Sequence, residues 1–262
     1  MSALSPSTRS IAQRLAIVLA VVFQIGAGFL PSLGVGEEIG SRSDAVRSLI
    51  TPAGWAFAIW GPLFFGSVLF AIYQLLPAQR DDTLLARVGW PAAGVFAANG
   101  AWSVYVQSFD LTAISVAIIV AGLICVLTPY LRIVAFERPF TVAERWLVML
   151  PLCALAAWLT AATIVNIAST LRYYDVGGGA EQPLLAAAIV IVGGVIAALA
   201  VWRGRGNPPY ALTFGWALLA IYLAGGQRAA IVGYAAIAAG LLVLAATLVR
   251  LAEPGNRAKW FG

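Results

Sequence analysis

The side chains with the clearest chemical potential are indoles, phenyl rings and carboxamides set within long apolar stretches. Trp55, Phe57, Trp60 and Phe64 open one stretch, Asn99, Trp102 and Tyr105 lie in the next, and Trp158, Ala162 and Asn166 lie in another further on. Trp158, Ala162 and Asn166 follow i, i+4, i+8 and share one face of a helix. Asn99 and Trp102, three apart, are helical neighbours. Flat indoles can stack on a planar, largely apolar ligand while amides fix its orientation by hydrogen bonds. The same residue types also act as packing groups and interhelical hydrogen-bond glue, and both uses stay open from the residues alone. Catalysis is not expected. The chain has no histidine, the usual neutral-pH base and a common metal ligand. Cys125 and Cys153 stand alone in apolar runs, which makes neither a metal site nor a disulfide framework. No nucleophile–base pair is visible, and Gly177-Gly178-Gly179 reads as a flexible turn, not a phosphate loop.

The elements that must position these groups are membrane helices. Of 262 residues, 61% are hydrophobic and 10% charged, and the mean hydropathy is +0.91. A soluble domain is about half apolar and about a quarter charged. Eight segments approach the roughly 20 apolar residues that span a bilayer: about 13–33, 54–76, 88–107, 110–131, 146–171, 183–202, 209–225 and 228–251. The seventh is short, bounded by Asn207-Pro208-Pro209 and Gly225-Gly226. The runs are continuous and do not alternate, which argues against an outer-membrane barrel. The first span is long, without a convincing cleavage site, and reads as a retained anchor.

With eight spans, 12 of the 16 Lys and Arg fall on one side and 4 on the other. The positive-inside rule places the rich side, with both termini, in the cytoplasm. Trp90, Trp146, Trp202 and Trp260 fall on that side as an interfacial aromatic belt. The net charge of +5 thus reads as topology, and a nucleic-acid partner is not expected. At a 1.5 Å rise per residue, Trp60 lies about 9 Å, Asn99 about 12 Å and Asn166 about 9 Å from the opposite ends of their helices. All three converge on the non-cytoplasmic leaflet. No ionisable group lies deep in a span, which argues against ion-coupled pumping but leaves a uniporter possible.

The segments TPAGWAFAIWGPLF (51–64), ANGAWS (98–103) and WLTAATIVN (158–166) resemble the tryptophan-rich sensory protein / translocator protein family (TspO/MBR). That family carries a Pro-Pro-x-Trp-x-Phe segment before its second helix, Asn-x-x-Trp in its third and Trp-x-x-Phe-Ala-x-x-Leu-Asn in its fifth. Ala53 replaces the second proline and Ala161 the phenylalanine. No tyrosine precedes Arg172 at the spacing of the family's cholesterol-recognition pattern, so sterol binding is not expected. The resemblance covers about 13–172 and divides the chain into a five-helix unit, 1–172, and a further three-helix membrane segment, 173–262. It implies a bundle enclosing a pocket capped by the loop 34–52, porphyrin or related tetrapyrrole binding, and often dimerisation. Arg42 or Arg47 could meet a propionate, or could be solvated loop charges.

The resulting expectation is an all-α polytopic membrane bundle with no required cofactor or metal. It binds a planar apolar ligand through Trp55, Phe57, Trp60, Asn99, Trp102, Trp158, Ala162 and Asn166. Membrane lipids and a homodimer or larger complex are the expected partners, and the compact chain points to a bacterial cytoplasmic membrane. The alternatives are a passive facilitator of a small apolar solute and an accessory subunit docking through the Ala/Gly-rich last three helices.

Overall fold

Short polar side chains and prolines set the helix starts. A computed structural model describes residues 9–176 and 182–262, so the turn expected at Gly177-Gly178-Gly179 lies outside the described residues. Ser10 accepts from Gln13 N and starts α1 (Ile11–Gly28). After a 3₁₀ segment, Gly54–Ile59, comes α2 (Trp60–Leu75). Asp82 caps α3 (Thr83–Phe109), and Thr112 caps α4 (Ala113–Val134). A capping box of Thr141 and Glu144 starts the next helix. It passes through a π-turn, Arg145–Met149, into α5 (Leu150–Tyr173). The π-turn abuts Pro151, which has no N–H to complete an ordinary turn. Then follow α6 (Pro183–Arg203), α7 (Pro208–Leu223), which is capped by Asn207, and α8 (Ala230–Leu251). A short helix, Pro254–Phe261, closes the chain.

Among the described residues there is no strand, and seven helical segments are long and apolar enough to cross a membrane. The remaining long helix, α3, has 27 residues, about 40 Å at a 1.5 Å rise, against a hydrocarbon core of about 30 Å. Its lower apolarity follows from its place: it packs between α1 and α4 and carries the buried polar groups Asn99, Ser103 and Gln107. The chain is an all-helical polytopic membrane bundle.

Helices α1, α3, α4, α5 and α2 each pack on the next, and α2 returns to α1, closing a five-helix ring. On its outside, α7 packs against α5, and α8 packs against both α7 and α6. The small residues of these last helices are used internally: a Cβ on Gly194 would lie 2.4 Å from the Ala239 Cβ, so α6 and α8 touch backbone to backbone.

Most of the basic residues gather at one end of the bundle, where the connections touch: Arg9 N donates to Arg80 O, and Arg250 Nε to Trp202 O. Arg9 is buried and donates to Gln13 Oε1 at 3.0 Å and Gln74 Oε1 at 2.9 Å. Burial, aided by Arg14, pulls its pKa down to about 10. Arg138 pairs with the buried Glu144. Lys259 donates to Phe136 O and sits 4.6 Å over the Phe140 ring. Burial, aided by Arg205, lowers its pKa to about 8. Trp90, Trp146 and Trp202 are exposed, as a belt requires, but Trp260 is buried. Its indole N–H donates to Arg205 O at 3.0 Å, so it tethers the last helix to the bundle.

Candidate functional site

At the other end, α5 presents a stripe. Trp158, Ala162, Val165, Asn166 and Ser169 line an apolar cavity of about 50 Å³. Trp102 from α3, Phe57 from the 3₁₀ segment, and Ala217 and Ile221 from α7 complete the walls, and Ile39, Ser43 and Pro52 form the roof. A second hollow of about 280 Å³ adjoins it, sharing Ile39 and walled by Trp60, Phe64, Ser103 and Gln107. The Trp60 and Trp158 rings stand edge to face between them, centroids 6.0 Å apart.

Asn166 fixes the depth of this arrangement. Its Oδ1 accepts from Trp102 Nε1 at 2.7 Å, and its Nδ2 donates to Ser115 Oγ at 2.8 Å and Thr170 Oγ1 at 3.2 Å. Thr170 in turn donates to Leu111 O at 3.0 Å. One amide thus joins α3, α4 and α5, and it turns the Trp102 ring into the cavity wall. Phe57 meets the Trp158 ring edge-on at 6.5 Å. The indole nitrogens of Trp158 and Trp60 and the Ser169 hydroxyl are buried without a hydrogen-bond partner. An unmet buried donor costs about 1–3 kcal/mol.

Two of the expected residues go elsewhere. Trp55 is 42% exposed and packs edge-on against Trp216 of α7, centroids 4.8 Å apart. The 3₁₀ winding of Gly54–Ile59 is the cause, because its three residues per turn rotate Trp55 away from the side that Phe57 and Trp60 take. Asn99 faces α1: its Nδ2 donates to Gln24 Oε1 at 3.2 Å, and Gln24 Nε2 donates to Ser67 Oγ at 2.7 Å. A three-residue step turns about 300° around a helix, enough to send Asn99 toward α1 and α2 while Trp102 faces α5. The structure therefore brings Phe57, Trp102, Trp158, Ala162 and Asn166 to one cavity, with Trp60 on its partition.

The roof is a short helix, Ile39–Ala45, latched to the turn between α3 and α4. Arg42 pairs with Asp110 at 3.0 Å and with Glu37 at 3.4 Å, and Glu37 N donates to Gln107 O at 2.9 Å. Asp110 holds φ of 124°, a region that is essentially glycine's and costs other residues about 1–3 kcal/mol. Arg47 pairs with Asp44. Both arginines considered for a propionate therefore hold loop carboxylates. Beyond the roof, a Cβ on Gly225 would fall 1.7 Å from Leu49 O, so the loop is pressed onto the turn between α7 and α8. Ala53 N donates to Ala220 O at 3.1 Å and Trp216 Nε1 to Ala56 O at 3.1 Å. Of the last three helices, α7 thus helps to build the site. Sequence reasoning missed Ala217, Ile221, Ile39 and Ser43. Val165 and Ser169 could have been found by extending the stripe of Trp158, Ala162 and Asn166.

No ionisable side chain lines the cavity, and among the described residues no group of metal-ligating side chains is present. The walls offer flat apolar rings and, from Trp158 and Ser169, an N–H and an O–H.

The family model described as TSPO-like protein matches residues 10–249, a range that runs through the last long helix. Comparison with curated proteins and with solved structures returned no match. An aromatic seam roofed by the first loop, within a helical bundle that the family model spans almost from end to end, leads to one conclusion: the chain belongs to the TSPO-like protein family.

Proposed function

We propose that this protein is a membrane ligand-binding or sensory protein for a planar, largely apolar molecule of the porphyrin or related tetrapyrrole type. The observation that carries the reading is the convergence of Trp102, Trp158, Phe57 and Asn166 on one roofed cavity, with the Trp158 N–H left without an acceptor. The cavity, about 50 Å³, admits only an edge of such a ring, and ligand sites for drug-sized molecules are about 300–1,000 Å³. In this reading the adjoining hollow of about 280 Å³ takes the rest, with the ring lying along Trp60. Rotation of the Trp60–Trp158 pair joins the two spaces. The reading is non-enzymatic and needs no metal. It also places both termini in the cytoplasm of a bacterial cell, supported by the gathering of basic residues at the end opposite the site.

Titration of purified protein with protoporphyrin tests the reading. Tryptophan fluorescence should quench to saturation, and Trp102→Ala or Trp158→Ala should weaken binding. Wild-type titration curves in both variants would remove this site from consideration.

A further inference from the structure

At the basic end, far from the aromatic cavity, a hollow of about 300 Å³ lies where the starts of α5 and α7 meet the last helix. Arg145 and Trp146 form one wall, Leu150 and Leu212 run toward the apolar region, and Trp260 closes the back. Several cations at this end have protein acceptors: Arg9 on Gln74, Arg132 on Arg87 O, Arg138 on Glu144, Arg250 on Glu253 and Lys259 on Phe136 O. Among the described residues Arg80, Arg203, Arg205 and Arg257 have no side-chain acceptor, but only Arg145 lines the hollow. Arg145 has none among the described residues, and its Nε is buried. The nearby carboxylates do not serve it, since Glu144 is bonded to Arg138, and Glu253 to Arg250 and Asn256.

A cation without a counterion at the mouth of an apolar hollow, flanked by the exposed indole of Trp146, is half of a lipid site. The missing half is an anionic oxygen joined to a hydrocarbon chain. Basic pockets between membrane helices at the interface hold anionic lipid headgroups, and a planar guanidinium grips a phosphodiester through paired N–H donors. We propose that this hollow binds one anionic phospholipid of the surrounding leaflet, with its phosphate on Arg145 and an acyl chain along Leu150 and Leu212. The site is independent of the aromatic cavity.

Native mass spectrometry of the purified chain, titrated with phosphatidylglycerol and separately with phosphatidylcholine, tests it. One phosphatidylglycerol should bind in preference to phosphatidylcholine. Arg145→Gln should weaken it about tenfold, the scale of one lost charge-assisted hydrogen bond. Arg257→Gln, which removes an exposed charge from the same end, should leave the first lipid bound as in the wild type. Leu212→Trp, which fills the hollow without changing charge, should weaken binding even if Arg145→Gln fails to fold. Equal loss in the Arg145 and Arg257 variants would overturn the proposal in favour of diffuse attraction. Displacement by soluble glycerol phosphate at equal concentration would overturn it in favour of a free-phosphate site.

Discussion

Asn99 and Asn166 occupy equivalent situations and do different things. Each is 3% exposed, each sits in the C-terminal half of its helix, and each has the type and spacing expected of a ligand-orienting amide. Asn99 belongs to the seam of α1, α2 and α3, where it continues a ladder through Gln24 to Ser67. Asn166 belongs to the seam of α3, α4 and α5, where its carbonyl holds Trp102 at the cavity wall. At the level of Asn99 the first seam is closed, short of the hollow that Ser103 and Gln107 wall: Gly100 lets the Phe23 ring approach so nearly that an added Cβ would be 2.6 Å from it. The second seam stays open because the rings of Phe57, Trp102 and Trp158 meet edge to face or not at all, leaving a gap under the roof. A buried amide in a membrane bundle is therefore glue by default, and becomes part of a site only where rigid rings keep the neighbouring space unfilled.

Substitutions that should break this contrast differ in size. Trp158→Ala should have the largest effect, costing about 3–5 kcal/mol as for other large-to-small core changes and abolishing porphyrin quenching. Unfolding in detergent and titration measure the two separately. Trp158→Phe should keep most of the stability while losing affinity, because it removes the unpaired donor and keeps an aromatic wall.

Asn166→Leu should come next, at about 1–2 kcal/mol, since it strands the Trp102 N–H, and it should weaken ligand binding as well. Asn99→Leu should destabilise by a similar amount yet leave the binding curve within about twofold of wild type, one RT being 0.59 kcal/mol. Equal binding losses in the two asparagine variants would erase the distinction between the seams.

Arg42→Ala should have the smallest effect on stability, about 0–1 kcal/mol for a partly exposed pair. It should speed ligand association and dissociation by releasing the roof, as read by stopped-flow quenching. Asp110→Gly, which relieves the positive φ while removing the same latch, should match its kinetics without its loss of stability.

The fold was legible because bilayer-length apolar runs and a biased distribution of Arg leave few alternatives. The stripe of Trp158, Ala162 and Asn166 was legible for a similar reason: an α-helix keeps its period over eight residues. Trp55 and Asn99 were not. The first depends on a 3₁₀ winding that the apolar pattern of 54–59 conceals, and the second on which neighbour faces it across a three-residue step. Ala217, Ile221 and Ile39 carry no chemical mark, so only the packing of α7 and the loop against α5 reveals them as walls. The first span was expected to run to residue 33 but ends at Gly28, where Pro31 begins a 3₁₀ turn. α3 begins at Thr83, earlier than apolarity alone indicates, because Asp82 caps it.

The most direct test is the density of a bound ring. A structure of the protein solved with protoporphyrin should show the macrocycle beneath Ile39–Ala45, lying along Trp60 with one edge between Trp102 and Trp158, and the Trp158 N–H within hydrogen-bond reach of an acceptor. Density against Trp55 or on the lipid-facing surface, with the cavity unchanged at about 50 Å³, would contradict the account.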